Sequence, residues 1–361
     1  MVNKDAEKYL KMTLELAAKG RGATSPNPMV GAVIVKNGRI VGQGYHKCAG
    51  GPHAEIVAIN EAREKASGAT LYVNLEPCCH YGRTSPCTQA IVDAGIKEVI
   101  FAMKDPNPKV NGKGMAILKK SGIRVSYGLL EEESRYLNEA YIKYIKTDIP
   151  FVILKMAQSL DGRIATSIGD SHWISCREAR KFAHQLRTES DAVVVGKGTV
   201  NADNPKLNVR LVKGKNPYRI ILSRQADFSP NLNLFKHNND ARTILATSKS
   251  SAGKLKAKNL IIWEIKENKK GLILDDFLRR AGQFGIQTLL IEGGSRLATS
   301  FLRQRLVDKI HLMIAPMIIG KGKESVDELN IKKLRNAIKF DSYIYHPCGS
   351  DILFTGYPER K

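Results

Sequence analysis

Residues 53–87 read HAEIVAINEAREKASGATLYVNLEPCCHYGRTSPC and place metal-binding side chains at the ends of two predicted elements. The first part has the apolar spacing of a helix, and 70–75 has the apolar run of a buried strand. His53 opens the helix, whereas Cys78 and Cys87 follow the strand. One imidazole and two thiolates make a three-ligand zinc site with an open fourth position, the layout of a catalytic rather than a structural zinc.

A carboxylate accompanies these three side chains. Glu55 follows His53 by two residues, where it can take a proton from a zinc-activated water and return it to a leaving group. The pattern H-x-E, then P-C and a second Cys, is typical of zinc-dependent deaminases. A structural zinc site, or buried inert thiols, is the alternative interpretation. Cys79 and His80 are further donors beside Cys78, which we prefer as the ligand because it directly follows a proline.

The loop between the two cysteine ligands is unusually long. Base and nucleoside deaminases usually have P-C-x-x-C, whereas eight residues separate Cys78 from Cys87 in this chain. The insert carries His80 and Arg83, and an arginine beside the zinc can hold a phosphate by paired, charge-assisted hydrogen bonds. The loop therefore indicates either a phosphorylated substrate or a solvated arginine.

Helix and strand patterns alternate on both sides of this stretch, as in an α/β sheet covered by helices. Before residue 150 the patterns predict a hairpin at 30–42, a strand at 98–102, and helices at 5–19, 53–66, 88–93, 112–121 and 131–146. The break at 147–150 gives predicted domains of 1–147 and 148–361. The second domain is also α/β, with strands predicted at 151–156, 192–195, 219–222, 242–247, 260–263, 287–291 and 310–314, and helices at 177–187, 271–284 and 296–306.

The turn Glu292-Gly293-Gly294-Ser295 joins a predicted strand to a predicted helix in the second domain. Free backbone N–H groups and the positive helix end make such a turn a phosphate site. Many strand-to-helix turns need glycine only for their backbone conformation, which is the alternative. The second domain contains no G-x-G-x-x-G motif, so a Rossmann dinucleotide site is not indicated.

Charge and composition limit the classes of partner. The 361 residues include 57 Lys and Arg against 35 Asp and Glu, a net charge of +22, most of it after residue 150. A basic surface favours phosphorylated ligands, acidic membranes or nucleic acid. A nucleic-acid base deaminase with a basic RNA-binding second domain is therefore an alternative. Aromatic residues at 7% and the lack of an RNA-binding motif argue against it. A non-catalytic, zinc-stabilised binding protein is a second alternative, but it would not need Glu55.

The sequence predicts a cytoplasmic protein that does not enter the membrane. It has no apolar run of about 18 residues and its first ten residues are charged. Four of its six cysteines lie between Cys48 and Cys87, and clustered cytosolic cysteines more often bind metal than form disulfides. We interpret Cys48, Cys176 and Cys348, which lie outside the motif, as packing residues.

The first half of the chain resembles the deaminase half of the bifunctional riboflavin-biosynthesis deaminase/reductase family. The similar motifs are NPMVG at 27–31, GYH at 44–46, HAE at 53–55, LEPC at 75–78, GRTSPC at 82–87 and DPNP at 105–108. The resemblance implies a cytidine-deaminase-like α/β/α sandwich, Zn²⁺ on His53, Cys78 and Cys87, and proton transfer by Glu55. It also implies that the pyrimidine and its ribose phosphate are held by Asn27, His46, His80, Arg83 and Asn107. Cys79 stands where the family usually has Ser.

The second half resembles the reductase half of the same family, whose fold is like that of dihydrofolate reductase. The similar motifs are KMAQSLDGR at 155–163, GDSHWIS at 169–175 and ADNP at 202–205. The resemblance implies that NADPH is lined by Ala157, Trp173, Thr199, Asp203, Ser223, Gly294, Ser295, Arg296, Leu297, Ala298, Thr299 and Ser300. It implies that the substrate faces Ser171, Arg187, Leu207, Arg210 and Glu292. Lys155, Asp203 and Glu292 are candidate proton donors.

The family resemblance implies two consecutive reactions. The first domain is expected to deaminate 2,5-diamino-6-ribosylamino-4(3H)-pyrimidinone 5′-phosphate with zinc. The second is expected to reduce the ribosyl chain of the resulting aminouracil to ribityl with NADPH. The expected partners are phosphorylated pyrimidines, with no nucleic acid and no membrane, and the protein is expected to form a homo-oligomer.

Overall fold

The computed structural model describes residues 4–80 and 85–359. The chain divides into two compact units, Met1–Asp148 and Ile149–Lys361. Both units are α/β, as predicted. Within the described ranges, no helix is long and apolar enough to cross a membrane.

Over its described residues, the first unit combines six α-helices and a short 3₁₀ helix, Arg63–Ala66, with five strands. The helices are α1 Lys4–Ala18, α2 Ala54–Ala62, α3 Cys87–Asp93, α4 Lys113–Lys120, α5 Glu131–Leu137 and α6 Glu139–Thr147. The strands are β1 Gly31–Lys36, β2 Arg39–Tyr45, β3 Thr70–Leu75, β4 Glu98–Met103 and β5 Arg124–Tyr127.

These five strands form one sheet in the order β2-β1-β3-β4-β5. β1 is antiparallel to β2 and β3, whereas β3, β4 and β5 are parallel. Asn37 and Gly38 close the predicted hairpin with φ of 51° and 74°, the left-handed conformation that a two-residue Asn-Gly turn needs. Ile34, Leu71 and Phe101 are fully buried in the sheet's core. This core fixes the end of β3, from which the Glu76-Pro77-Cys78 turn leaves.

The prediction of a single helix at 131–146 was wrong. The structure contains two helices in this segment, and they are separated at Asn138. The Asn138 side chain accepts a hydrogen bond from Met29 N at 2.8 Å and donates one to Met29 O at 3.0 Å. Asn74 also donates to Met29 O, at 3.0 Å. The amphipathic pattern continues across the break, so this tertiary contact, rather than a breaker residue, interrupts the helix.

The second unit contains five helices and thirteen strands over its described residues. The helices are α7 Arg177–Glu189, α8 Lys197–Asp203, α9 Asn233–Lys236, α10 Leu274–Gln283 and α11 Ser295–Arg303. The strands are β6 Phe151–Ser159, β7 Arg163–Thr166, β8 Ala192–Gly196, β9 Tyr218–Leu222, β10 Thr243–Ser248, β11 Ile261–Ile265, β12 Glu267–Asn268, β13 Gly271–Leu272, β14 Thr288–Ile291, β15 Lys309–Ala315, β16 Gly322–Glu324, β17 Phe340–Cys348 and β18 Asp351–Pro358.

The main sheet of this unit has nine strands in the order β11-β10-β9-β8-β14-β6-β15-β18-β17. In sheet order, the seven strands from β11 through β15 run parallel to one another. β18 pairs with β15 in the antiparallel sense, and β17 pairs with β18 in the same way, so these two strands form an antiparallel edge. Parallel strands bring their carboxyl ends to one edge, which is where ligands bind in open α/β sheets. The residues that follow β8 and β14 are therefore placed for a binding site.

Two predictions for this unit need correction. The helix predicted at 271–284 begins only at Leu274, because 271–272 pair as strand β13 with β12. The β17–β18 hairpin was not predicted from the sequence at all. Tyr343, Ile344 and Tyr345 of its edge strand are all exposed, so β17 lacks the alternating pattern that identifies a half-buried strand.

A buried histidine makes the stability of this unit depend on pH. His311 of β15 contacts Thr355 of β18 with 2.9 Å between Nδ1 and Oγ1, and its ring is 7% exposed. Burial, and then the Lys309 ammonium, lowers the pKa of His311 to about 3. The ordinary pKa of histidine is about 6.5, so the folded state binds fewer protons than the unfolded state at intermediate pH.

We therefore expect His311 to contribute to the free energy of unfolding of this unit. The contribution is fully present above about pH 6.5 and is lost as the pH falls toward 3. This one group should contribute a slope of about 1.4 kcal/mol per pH unit near pH 5. Trp173 and Trp263 are the chain's two tryptophans, so urea unfolding followed by tryptophan fluorescence reports on this unit. His311→Gln should reduce the slope, whereas the exposed control His346→Gln should not. An unchanged slope in His311→Gln would contradict the assignment.

Candidate active sites

The three predicted zinc ligands lie together in the first unit. His53 immediately precedes α2, Cys87 begins α3, and Cys78 follows β3. Their Nδ1 and Sγ atoms all lie within 4.8 Å of one another. His53 Nδ1 is 3.1 Å from Cys87 Sγ and 3.5 Å from Cys78 Sγ. Three converging N and S donors fit a tetrahedral zinc with one open position. Cys79 Sγ instead contacts the carbonyl of Lys109, at 3.6 Å.

Glu55 lies beside this cluster in the first turn of α2 and is only 3% exposed. Burial, and then the charge of the nearby Cys78 sulfur, raises the pKa of Glu55 to about 7. A carboxyl group with a pKa near neutrality exchanges protons readily at physiological pH. Its environment therefore suits a proton carrier.

A cavity of about 410 Å³ opens at the cluster. Its lining includes Glu55 together with the predicted substrate-binding residues Asn27, His46, His80 and Asn107. His80 Nδ1 is buried and has no hydrogen-bond partner among the described residues. An unsatisfied buried nitrogen at a cavity is a suitable ligand contact. Arg83, which was also predicted to bind substrate, lies outside the described residues.

Hydrogen bonds fix the orientation of His46 and Asn27. His46 Nδ1 is 3.0 Å from Pro52 O, and its Nε2 is 3.0 Å from Asn27 Nδ2. Since the carbonyl can only accept, Nδ1 carries the hydrogen and Nε2 accepts from the Asn27 amide. Burial lowers the pKa of His46, which keeps this neutral tautomer. The amide oxygen of Asn27 is therefore left as an acceptor beside the cavity.

Sequence reasoning missed two further residues that line this cavity, Asp105 and Tyr141. The Tyr141 hydroxyl donates to Asp105 Oδ1 at 2.9 Å, and Asp105 accepts from Asn107 N at 2.9 Å. Burial raises the pKa of Asp105 to about 6. The DPNP motif contains Asp105, but only Asn107 received a role from it. Tyr141 carried no signal beyond its place on an amphipathic helix.

Glu76 is a third missed residue, and it connects the ligand turn to α4. It is 2% exposed and accepts hydrogen bonds from Gly112 N at 2.9 Å and Met115 N at 3.0 Å. Both donors lie at the start of α4, where backbone N–H groups lack partners within the helix. Glu76 therefore holds the turn that carries Cys78 against this helix end.

The second unit contains a larger cavity, of about 640 Å³. Its lining includes five of the predicted cofactor residues, namely Ala157, Trp173, Thr199, Asp203 and Gly294. It includes four of the predicted substrate residues, Ser171, Arg187, Arg210 and Glu292, and also Lys155. Over the described part of the chain, its lining does not include the predicted residues Leu207, Ser223, Ser295, Arg296, Leu297, Ala298, Thr299 and Ser300.

The Gly293-Gly294 turn leads from β14 into α11 at the edge of this cavity. A Cβ on Gly293 would lie 2.7 Å from Leu297 Cδ2, so only glycine lets the turn pack this closely on the helix. Gly294 N donates to the Thr199 hydroxyl at 3.1 Å. The remaining N–H groups at the start of α11 and the open backbone at Gly294 fit a phosphate. The turn thus suits the phosphates of a dinucleotide.

A buried ion pair crosses the cavity wall between α7 and the end of β14. Arg187 Nε and Nη2 donate to the two carboxylate oxygens of Glu292 at 2.6 and 2.8 Å. The two side chains are 12% and 9% exposed. Burial opposes ionisation of Glu292, but the Arg187 guanidinium outweighs it and lowers the pKa of that carboxyl. Burial lowers the pKa of Lys155 beside the pair. Arg187 is therefore already committed to a carboxylate, whereas Arg210 is exposed.

Family comparisons agree with this two-site architecture. Residues 3–103 match a family model described as the cytidine and deoxycytidylate deaminase zinc-binding region. Residues 150–353 match the RibD C-terminal domain. The riboflavin biosynthesis protein RibD of Aquifex aeolicus is 45% identical over 356 residues, covering 98% of each chain. RibD of Escherichia coli is 38% identical and covers 96% of this chain and 97% of its own.

Solved structures extend this similarity to the fold of the whole chain. RibD of Acinetobacter baumannii has a TM-score of 0.89 at 36% identity and 99% coverage of both chains. A Thermotoga maritima protein described as a diaminohydroxyphosphoribosylaminopyrimidine deaminase and 5-amino-6-(5-phosphoribosylamino)uracil reductase has a TM-score of 0.89 at 38% identity. The alignment covers 98% of this chain and 99% of that one. The chain therefore belongs to the RibD family of bifunctional riboflavin-biosynthesis enzymes, with a zinc-binding deaminase domain followed by a reductase domain.

Proposed function

We propose that the deaminase domain, 1–147, converts 2,5-diamino-6-ribosylamino-4(3H)-pyrimidinone 5′-phosphate to the aminouracil, and that the reductase domain, 148–361, reduces its ribosyl chain to ribityl. The observation that carries the proposal is the convergence of His53, Cys78 and Cys87 beside buried Glu55 at a cavity. The Thermotoga relative is described by the same two activities.

In the deaminase site, each residue has a role that follows from its position. His53, Cys78 and Cys87 would hold the zinc, which when bound would supply Lewis-acid activation of water. Glu55 accepts a proton from the attacking water and delivers it to the departing amino group, so that ammonia leaves. Asn27 and Asn107, which are distant in sequence, both line the cavity, where their side-chain amides can form hydrogen bonds with the pyrimidine.

The lining of the second cavity supports the reductase assignment. NADPH supplies the hydride, and the protein must position it and exclude water. The Gly293-Gly294 turn is suited to the cofactor phosphates, and Arg210 to the substrate phosphate. Lys155, Asp203 and Glu292 all line the cavity. Lys155, whose pKa is lowered by burial, and Asp203 stay candidate proton donors, whereas the ion pair with Arg187 keeps Glu292 ionised.

We also propose that the enzyme works in the cytoplasm on phosphorylated pyrimidines and not on nucleic acid. The two cavities of about 410 and 640 Å³ match small molecules, since drug-sized ligand sites occupy about 300–1,000 Å³. The homo-oligomer expected from the sequence stays a prediction.

A two-stage assay tests the proposed function. Zinc-loaded protein is given the diaminopyrimidine ribosyl phosphate, and ammonia is measured before NADPH is added and its absorbance is followed. We expect ammonia first and NADPH oxidation second. Cys87→Ser should lose zinc and ammonia release but still oxidise NADPH with supplied aminouracil. Cys48 is exposed, so its interpretation as a packing residue was wrong, and Cys48→Ser should retain zinc, ammonia release and NADPH oxidation. Ammonia release by zinc-free protein, or no ammonia at all, would contradict the proposal.

A further inference from the structure

Two side chains of α7 hold the segment 207–211 at the wall of the reductase cavity. Arg187 Nη1 donates to Asn208 O at 3.1 Å, and Arg210 N donates to His184 Nδ1 at 3.1 Å. His184 lies one helical turn before Arg187, so both side chains leave the same face of α7. The segment is therefore bound to α7 through its backbone at two points, while the Arg210 side chain remains exposed.

The hydrogen bond from Arg210 N defines the state of His184. Because a backbone N–H can only donate, Nδ1 is the acceptor and the ring hydrogen is on Nε2. The ring is 4% exposed and lines the cavity. Burial, and then the charges of Arg187 and Arg210, lowers the pKa of His184 to about 4. Lys155 acts in the same direction and Glu292 opposes it. The ring therefore stays neutral and keeps its acceptor at physiological pH.

The contact between His184 and Arg210 N matters because the two arginines differ in what their guanidinium groups already bind. The Arg187 guanidinium already donates hydrogen bonds to both carboxylate oxygens of Glu292 and to Asn208 O. Among the residues that the structure describes, the Arg210 guanidinium makes one hydrogen bond, from Nη1 to Asn208 Oδ1 at 3.3 Å. A phosphate in the cavity is thus met by Arg210, and a backbone that is fixed before binding spares the entropy cost of ordering the segment that carries it.

We propose that His184 is a positioning residue that fixes the backbone of Arg210 so that the Arg210 guanidinium binds the 5′-phosphate of the reductase substrate. The inference rests on the proposed function, because it requires a phosphorylated substrate. Neighbouring contacts support the assignment: Val209 N donates to Asn216 Oδ1 at 2.8 Å, and Leu207 is buried with φ of 51°. These anchors hold the segment on one side of Arg210, and His184 holds Arg210 itself.

The test measures NADPH oxidation with the aminouracil substrate and with the same compound lacking its phosphate. We expect His184→Ala to raise KM for the phosphorylated substrate about tenfold, the effect of one lost hydrogen bond, with kcat within about twofold. His184→Asn should restore KM, because its Oδ1 replaces Nδ1 as the acceptor. Neither variant should change KM for the dephosphorylated substrate.

Arg210→Ala separates positioning from a general structural effect. If His184 acts through Arg210, His184→Ala should add little to KM in an Arg210→Ala background. Equal losses on both substrates, or an Asn variant no better than Ala, would overturn the inference while leaving the proposed function intact. Failure of the unaltered protein to oxidise NADPH with the phosphorylated substrate would contradict the proposed function, and this inference with it.

Discussion

The Glu55→Gln variant is expected to lose ammonia release by about 10²–10⁴-fold, the usual contribution of a positioned general acid or base. The substitution keeps the shape of a side chain that is 3% exposed, and it removes only the ability to carry a proton. Since Glu55 is not one of the three converging N and S donors, zinc content should stay at one per chain. NADPH oxidation with supplied aminouracil should be unchanged.

The measurement combines ammonia release, metal analysis and NADPH oxidation on one preparation. Glu64→Gln is a matched control, because Glu64 lies just after the same helix with an exposed side chain. The control should retain all three properties. Loss of zinc in Glu55→Gln would show that the residue maintains the metal site rather than moving a proton. Loss of NADPH oxidation would argue against two independent sites.

Short-range pattern predicted the deaminase site better than the reductase site. His53, Cys78 and Cys87 fall within 35 residues, at the ends of two helices and one strand that follow each other along the chain, so a local pattern was enough to group them. The ion pair of Arg187 and Glu292 joins residues 105 positions apart. Nothing local in either segment shows that these two side chains share a pocket.

The errors in the fold have the same origin. Asn138 is an ordinary residue in an amphipathic pattern, and it ends a helix only because its amide pairs with the backbone of Met29, 109 positions away. His184 likewise reads as one polar residue on a helix, and its role depends on the backbone of Arg210. Tertiary hydrogen bonds override local propensity at such positions, and a single sequence does not display them.

Arg187→Met is expected to cost the reductase unit about 3–5 kcal/mol of unfolding free energy, because it leaves the Glu292 carboxylate buried without its bidentate partner. The loss should lie toward the lower value, since the Lys155 ammonium also attracts that carboxylate. Urea unfolding followed by the fluorescence of Trp173 and Trp263 measures the effect on this unit. NADPH oxidation should fall as well, because the cavity wall loses its fixed charge pattern.

Adding Glu292→Gln to Arg187→Met separates the two consequences. The double variant removes the unpaired charge, so it should recover most of the lost stability, since replacing a buried pair is far less costly than breaking it. Catalysis should not recover, because both groups that order the wall are gone. Glu267→Gln, which breaks the exposed pair with Arg224, should change stability by no more than about 1 kcal/mol. A double variant as unstable as Arg187→Met would show that packing, rather than the buried charge, explains the loss.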